Sequence, residues 1–348
     1  MSSEPMSTEP AFALPEAALA VYLAAHVDGF RGPLSASKFK DGQSNPTYRI
    51  DAASGTYVLR RKPPGVLLPS AHAVDREFRV LRALQGSAVP VARALHMCVD
   101  ESVIGSMFYL MEHVDGRVFW DPALPDVAAD RRGAYYDAIV ATLAALHAVD
   151  VDAVGLGDYG KPGNYFARQL ARWAAQYRAS ETQSIAAMET LLAELPPRCP
   201  ADDGRIALVH GDYRSDNLMF APDAPRVLAV MDWELSTLGH PLADLGYFCM
   251  ALRLPGRPPL PGLAGMDRAA LGIPDEAALL RRYSELSGTR VDADWPFVLA
   301  FSFFRLAAIA QGVARRAQQG NASSERAQQA GRMAGVLAQM GVQGLGER

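Results

Sequence analysis

Apolar positions along the chain change their period twice. Residues 14–27 place Leu19, Leu23 and Val27 on one face of a helix. From about 35 to 113 the spacing tightens into short strands. Segments 35–40 and 47–51 flank a turn-rich loop, and Ser54-Gly55 reverses the chain into a third strand over 56–61. The Pro63-Pro64-Gly65 stretch leads to a helix over 72–85, where Val74, Phe78, Leu81 and Ala83 alternate with charged residues. Strands at 91–99 and 107–114 complete what reads as an antiparallel sheet carrying one helix. Beyond Gly116 the helical period dominates, over 131–148, 164–180, 182–195, 275–287, 294–316 and 322–342. A β-rich island interrupts it, with strands over 206–210, 218–220 and 227–231. The pattern predicts an α+β protein of two lobes, a small sheet lobe over 1–113 and a larger helical lobe with an embedded β-hairpin over 114–348. A ligand cleft is expected between them.

Composition narrows the class. A chain of 348 residues with 49% apolar content can bury a substantial core. A net charge of −4 and no Lys/Arg run longer than three argue against a nucleic-acid partner. Cys98, Cys199 and Cys249 stand far apart without a CxxC pair, which favours idle thiols over a zinc site or disulfides. The first thirty residues hold Glu4, Glu9 and Glu16 but no Lys or Arg, the wrong charge for a secretory signal. The apolar run 295–310 is interrupted by Arg305 and is too short for a bilayer span, so it reads as a buried helix. The expectation is a cytoplasmic protein with no membrane partner. Residues 1–10 read as a frayed start.

The strongest chemical signal lies in the island. Leu208-Val209-His210-Gly211-Asp212-Tyr213-Arg214-Ser215-Asp216-Asn217 is followed, fifteen residues after Asn217, by Asp232 in Val230-Met231-Asp232-Trp233-Glu234. Phosphoryl transfer from ATP needs a carboxylate to take the hydroxyl proton and oxygen ligands for a Mg²⁺ bridging the phosphates. A carboxylate, an amide five residues on, and a second carboxylate after the next strand meet that need, and a short hairpin would bring Asn217 and Asp232 together. Taken singly, Asp212 and Asn217 would read as turn caps. Their ordered combination between apolar strands points to chemistry instead. His210 reads as a packed residue bracing the loop.

This His-Gly-Asp-x₄-Asn pattern with a strand-borne Asp is similar to the catalytic and metal motifs of the aminoglycoside phosphotransferase and choline kinase superfamily, a relative of the protein kinases. The resemblance covers roughly residues 30–320. It implies a protein-kinase-like fold, ATP and Mg²⁺ as cofactors, and a small hydroxylated metabolite as acceptor. It makes Asp212 the catalytic base and Asn217 and Asp232 the metal ligands. Arg214 falls two residues after the base, where many protein kinases carry a lysine that touches the γ-phosphate. Phe39-Lys40-Asp41-Gly42-Gln43-Ser44-Asn45-Pro46 lies where the family's nucleotide-covering loop belongs, which assigns Gly42, Gln43, Ser44 and Asn45 to the phosphates. Arg60 occupies the position of the phosphate-binding lysine, with Lys62 on the same strand face as its competitor. Glu77 matches the ion-pair partner on the following helix. In Tyr109-Leu110-Met111-Glu112-His113-Val114, the hinge, the Glu112 C=O and Val114 N–H would hold adenine. His147 and Asp244 read as structural.

A narrower resemblance rests on Tyr57-Val58-Leu59-Arg60-Arg61-Lys62-Pro63-Pro64-Gly65 and on Gly160-Lys161-Pro162-Gly163-Asn164-Tyr165-Phe166-Ala167-Arg168-Gln169, continuing to Trp173 and Tyr177. Both look like the branch found fused to, or beside, acyl-CoA dehydrogenases. It implies phosphorylation of a hydroxyacyl-CoA and a functional association with such a dehydrogenase. Arg168 and Arg172, one helical turn apart beside Trp173, suit an anionic, adenine-bearing substrate. The same residues also read as the wet face of a helix whose core side carries Leu170 and Trp173. Two other readings stay open here: an aminoglycoside-type kinase, and a catalytically silent nucleotide-binding or scaffold module, which the single-glycine loop and the missing lysine at 60 would allow.

Overall fold

The computed structural model describes residues 13–39, 45–63, 73–256, 261–291, 294–318 and 324–346. In chain order it contains α1 (Glu16–His26), β1 (Leu34–Lys38), β2 (Thr47–Ala52), β3 (Gly55–Arg61), α2 (Val74–Leu84), β4 (Ala94–Cys98), β5 (Phe108–Glu112) and β6 (Arg117–Val118). Then follow α3 (Ala129–His147), α4 (Tyr165–Ala179), α5 (Ala186–Glu194), β7 (Ala207–Val209), β8 (Leu218–Phe220), β9 (Val227–Val230) and β10 (Thr237–Gly239). The chain closes with α6 (Leu242–Leu252), α7 (Glu276–Ser287), α8 (Trp295–Gln318) and α9 (Ser324–Gly346).

The chain divides into two compact units. The first runs up to Gly116 and takes back Leu228–Glu234. Its five strands form an antiparallel sheet in the order β1-β2-β3-β5-β4. Leu19 and Leu23 of α1 are buried with Tyr48, Ile50, Leu59, Phe108 and Leu110 in one core. Each such aliphatic side chain contributes roughly 1.5–3 kcal/mol of burial free energy. Helix α2 packs on β4 and β5. Its buried stripe is Val74, Glu77, Leu81 and Leu84, spaced i, i+3, i+7, i+10, so a carboxylate stands where the pattern calls for an apolar residue. Phe78 and Ala83, read from sequence as its apolar face, are only half-buried.

Residues 117–227 and 235–348 make the second unit. Strands β7 and β10 pair antiparallel, as do β6 and β8. Helix α8 packs against α4, α5, α6 and α9, and α3 packs against α7. The stretch Trp295–Arg316 is long and apolar enough to cross a membrane, but 83% of its most apolar window is buried inside the protein. Its apolar surface is used in internal packing. The run is therefore longer than the sequence reading allowed, and burial, not length, accounts for it.

The remaining differences from the sequence reading are local. The boundary at 113/114 moves to Gly116, and Leu228–Glu234 joins the first unit, where Val230 N–H donates to the Pro90 carbonyl at 2.8 Å. The strand expected from 91 begins at Ala94, because Arg93 N–H donates to the Glu112 carboxylate instead of a ladder carbonyl. Strands β6 and β10 are two and three residues long, too short to show any period.

Candidate active site

Strand β3 delivers Arg60 to a buried ionic cluster of the first unit. Its Nε lies 2.9 Å from Glu77 Oε2, an ion pair whose N–H points off the hydrogen-bond direction, and its Nη2 donates to Asp232 Oδ1 at 2.6 Å. Glu234 stands 3.8 Å from the same Nη2. Glu77 is held from two further sides, by Asn45 Nδ2 at 2.7 Å and the Tyr109 hydroxyl at 3.1 Å. Burial works against the charge on Arg60, but Glu77, Asp232 and Glu234 overcome it and hold the guanidinium protonated. Glu77 goes the other way. Burial, reinforced by Asp232 and Glu234, pushes its carboxyl up to about 7 against the pull of Arg60.

Asp232 follows β9 with φ +61°, in the left-handed region that Asp tolerates better than most residues. Its side chain is 36% exposed, the most open of the three carboxylates around Arg60. Among these carboxylates Asp232, the most exposed, is the one a divalent cation would reach. Among the described residues no set of three His, Cys, Asp or Glu side chains could by itself hold a metal. A Mg²⁺ ion would need only one or two protein oxygens, completing its shell with phosphates and water, and Asp232 could supply one.

The second unit builds the loop after β7. Gly211 has φ +84°, and a Cβ there would lie 2.6 Å from the Leu235 carbonyl oxygen, so only glycine fits. Buried Asp244, in the first turn of α6, accepts from His210 N–H at 2.6 Å and Gly211 N–H at 2.8 Å. Burial works to raise the Asp244 carboxyl, but His147 and the Gly211 N–H outweigh it and hold it below the usual range. His147 Nε2 lies 3.3 Å from Asp244 and its Nδ1 is 2.7 Å from the Tyr283 hydroxyl. His210 is fully buried, and its Nδ1 accepts from Asp212 N–H at 3.2 Å. Tyr213, also fully buried, donates to the Ile139 carbonyl at 2.8 Å and roots the loop in α3.

At the tip, the Asp212 side chain is 25% exposed. Asn217 Nδ2 donates to the Asp212 carbonyl at 2.8 Å and to its carboxylate at 3.1 Å. Its amide oxygen is the atom with ligating capacity. Arg214 spans Asp212 at 3.6 Å and Asp216 at 2.7 Å. Burial, with the nearby Asp212 charge, raises the Tyr247 phenol.

The site residues read from sequence thus fall into two groups. Arg60, Glu77, Asn45 and Asp232 come together in the first unit, and Asp212, Arg214 and Asn217 in the second. Gly42, Gln43 and Ser44 lie outside the described residues. Asn45 is 1% exposed and serves Glu77, which its assignment to a phosphate-covering loop did not anticipate. Glu112 N–H is taken by the Arg93 carbonyl, while Val114 N–H has no backbone partner among the described residues. Arg168 donates to the carbonyls of Lys161 and Pro162, bracing the motif that precedes α4. Arg172 lies 5.3 Å over the Trp173 ring. Sequence reasoning took Arg305 only as an interruption of an apolar run, whereas its Nη2 donates to the Gly211 carbonyl. That lone charge was the available signal.

A model of the phosphotransferase enzyme family matches residues 35–286. The chain is 47% identical over 330 residues to acyl-CoA dehydrogenase family member 10 of Mus musculus, covering 94% of this chain and 31% of that one. The curated relatives it matches are longer, and the chain spans about a third to two fifths of their length. A Ralstonia eutropha crystal structure, provisionally described as an aminoglycoside phosphotransferase, is similar at a TM-score of 0.88 and 50% identity, covering 96% of this chain and 99% of that one. Aminoglycoside phosphotransferase APH(4)-Ia, in ternary complex with ADP and hygromycin B, shares the fold at a TM-score of 0.59 and 17% identity, over 92% and 97% of the two chains.

Proposed function

Because the chain belongs to the phosphotransferase enzyme family, we propose that it is an ATP- and Mg²⁺-dependent kinase that phosphorylates a hydroxyl of a small metabolite. The observation that carries this reading is Asp212, a partly exposed carboxylate on a pinned loop with the Asn217 amide against it. Asp212 accepts the proton of the acceptor hydroxyl as that oxygen bonds to the γ-phosphorus of ATP. The bond from that phosphorus to the β–γ bridging oxygen breaks, and ADP leaves with the electron pair. Asp232 and the Asn217 amide oxygen would hold Mg²⁺, which when bound neutralises charge on the phosphates. Arg60, already facing anions, offers its guanidinium to the phosphates, and Glu77 keeps it in place. Glu112 and Val114 backbone groups hold adenine. The thin signal of the covering loop is left to Gly42, Gln43 and Ser44.

The finer reading is a hydroxyacyl-CoA acceptor, acting in association with an acyl-CoA dehydrogenase. It is supported by relatives named as acyl-CoA dehydrogenase family members and by the 160–169 motif that Arg168 braces. Exposed Arg172 beside Trp173 would serve an anionic acceptor. The test is incubation with Mg·ATP and 3-, 4- or 5-hydroxyacyl-CoAs, with kanamycin in parallel, read by mass spectrometry. A phosphorylated acyl-CoA is expected, and Asp212→Asn should lower its kcat by roughly 10²–10⁴ while Mg·ATP still binds. Phosphorylated kanamycin with no acyl-CoA product would overturn the acceptor class. No Mg·ATP binding to the wild type would favour a scaffold.

A further inference from the structure

Arg305 of α8 is buried, 7% exposed, and forms no ion pair among the described residues. A guanidinium taken from water is costly unless a carboxylate or a full set of acceptors compensates it. Here the compensation is of another kind. Its Nη2 donates to the Gly211 carbonyl at 2.6 Å, and its central carbon lies 5.4 Å from the Trp173 ring and 5.2 Å from the Tyr247 ring. A close approach sets this up. A Cβ on Gly246 of α6 would sit 2.4 Å from Val298 Cγ1, so α6 and α8 meet there, next to Tyr247 and two turns before Arg305.

The Gly211 carbonyl belongs to the same planar peptide unit as the Asp212 N–H. That unit is gripped on both edges, its carbonyl by Arg305 and its N–H by His210 Nδ1. Rotation of the plane changes ψ of Gly211 and φ of Asp212 together, and so swings the Asp212 side chain. Asp244 secures the preceding peptide. The Tyr247 ring lies against the Arg305 guanidinium, 5.2 Å from its central carbon. Arg305 therefore holds the peptide that aims Asp212.

We infer that Arg305 is a positioning residue for the phosphoryl transfer, orienting Asp212 through the Gly211–Asp212 peptide. The inference rests on Asp212 being the base. The test compares wild type, Arg305→Met, Arg305→Lys, Asp212→Asn and the double variant Arg305→Met/Asp212→Asn on the best acceptor from the panel. Arg305→Met should lower kcat by about 10²-fold, the scale of a displaced catalytic group. KM for Mg·ATP should stay unchanged, and Tm should hold or rise, because methionine removes an unpaired buried charge. Arg305→Lys should recover part of the loss by donating to the same carbonyl. The double variant should be no slower than Asp212→Asn alone.

Wild-type kcat in Arg305→Met beside a slow Asp212→Asn would overturn the inference alone. So would a double variant whose losses multiply, or a kcat loss matched by lost folded protein. A fast Asp212→Asn would overturn the reading of the base, and the inference with it. Should Arg305→Met fail to fold, Arg305→Lys carries the test. It should lose about tenfold in kcat at unchanged KM, because the lysine grips the carbonyl less rigidly than the guanidinium, and wild-type kcat in it would overturn the proposal.

Discussion

Around Arg60 stand Glu77, Asp232 and Glu234, and these neighbours govern what each residue can do. Arg60 stays charged because every neighbour favours its proton. Glu77 is pushed up to about 7 because burial and two further acids disfavour its charge. Arg60→Ala should therefore weaken Mg·ATP binding or slow transfer far more than Lys62→Ala, measured by calorimetric titration and turnover. A larger loss at Lys62 would show that the strand presents the other residue to phosphate. The sequence already favoured Arg60, with Lys62 as competitor because residues two apart on a strand share a face. The Arg60–Glu77 ion pair accords with that preference, while the burial of Glu77 was not read from the sequence.

At the scale of elements, α6 acts on the loop after β7 through one side chain. Asp244 accepts two buried backbone N–H groups and faces His147. Asp244→Asn would set an amide donor against those donors, at a cost of about 2–3 kcal/mol. The carboxyl is held below its ordinary value, so its contribution to stability is fully present above the unfolded value of about 3.9 and is lost as pH falls through the folded one. The stability gap between wild type and Asp244→Asn should be flat above about pH 5 and shrink below about pH 4 in denaturant titrations. A gap that widens in acid would contradict the assigned role. The carboxylate was legible from its distance to Asp232, whereas its partner His147 sits 97 residues away and was read only as a core contact.

For the whole molecule, a ligand that binds only the folded state raises stability by mass action, about 2.7 kcal/mol at a hundredfold excess over Kd. Mg·ATP should raise Tm by several degrees, EDTA should abolish the rise, and Asp232→Ala should not show it. A full shift in Asp232→Ala would remove Asp232 from the metal site. Packing also decides the fate of α8, whose apolar run is spent on α4, α5, α6 and α9.

The linear order of residues was enough to determine the α+β class, which depends on local period, and the His-Gly-Asp-x₄-Asn motif of the His210–Asn217 loop carried the resemblance that implied a kinase-like fold. The need for glycine at 211 came from the Leu235 carbonyl that the fold brings against it. Tertiary structure alone decided which distant groups support that loop. Asp244 and Arg305 reach it from 33 or more residues away, and long-range contacts leave no period in the sequence. It also decided that Arg60 meets Asp232, 172 residues on. A buried charge is recognisable in a sequence only as a break in an apolar pattern, and its partner appears once the chain has folded around it.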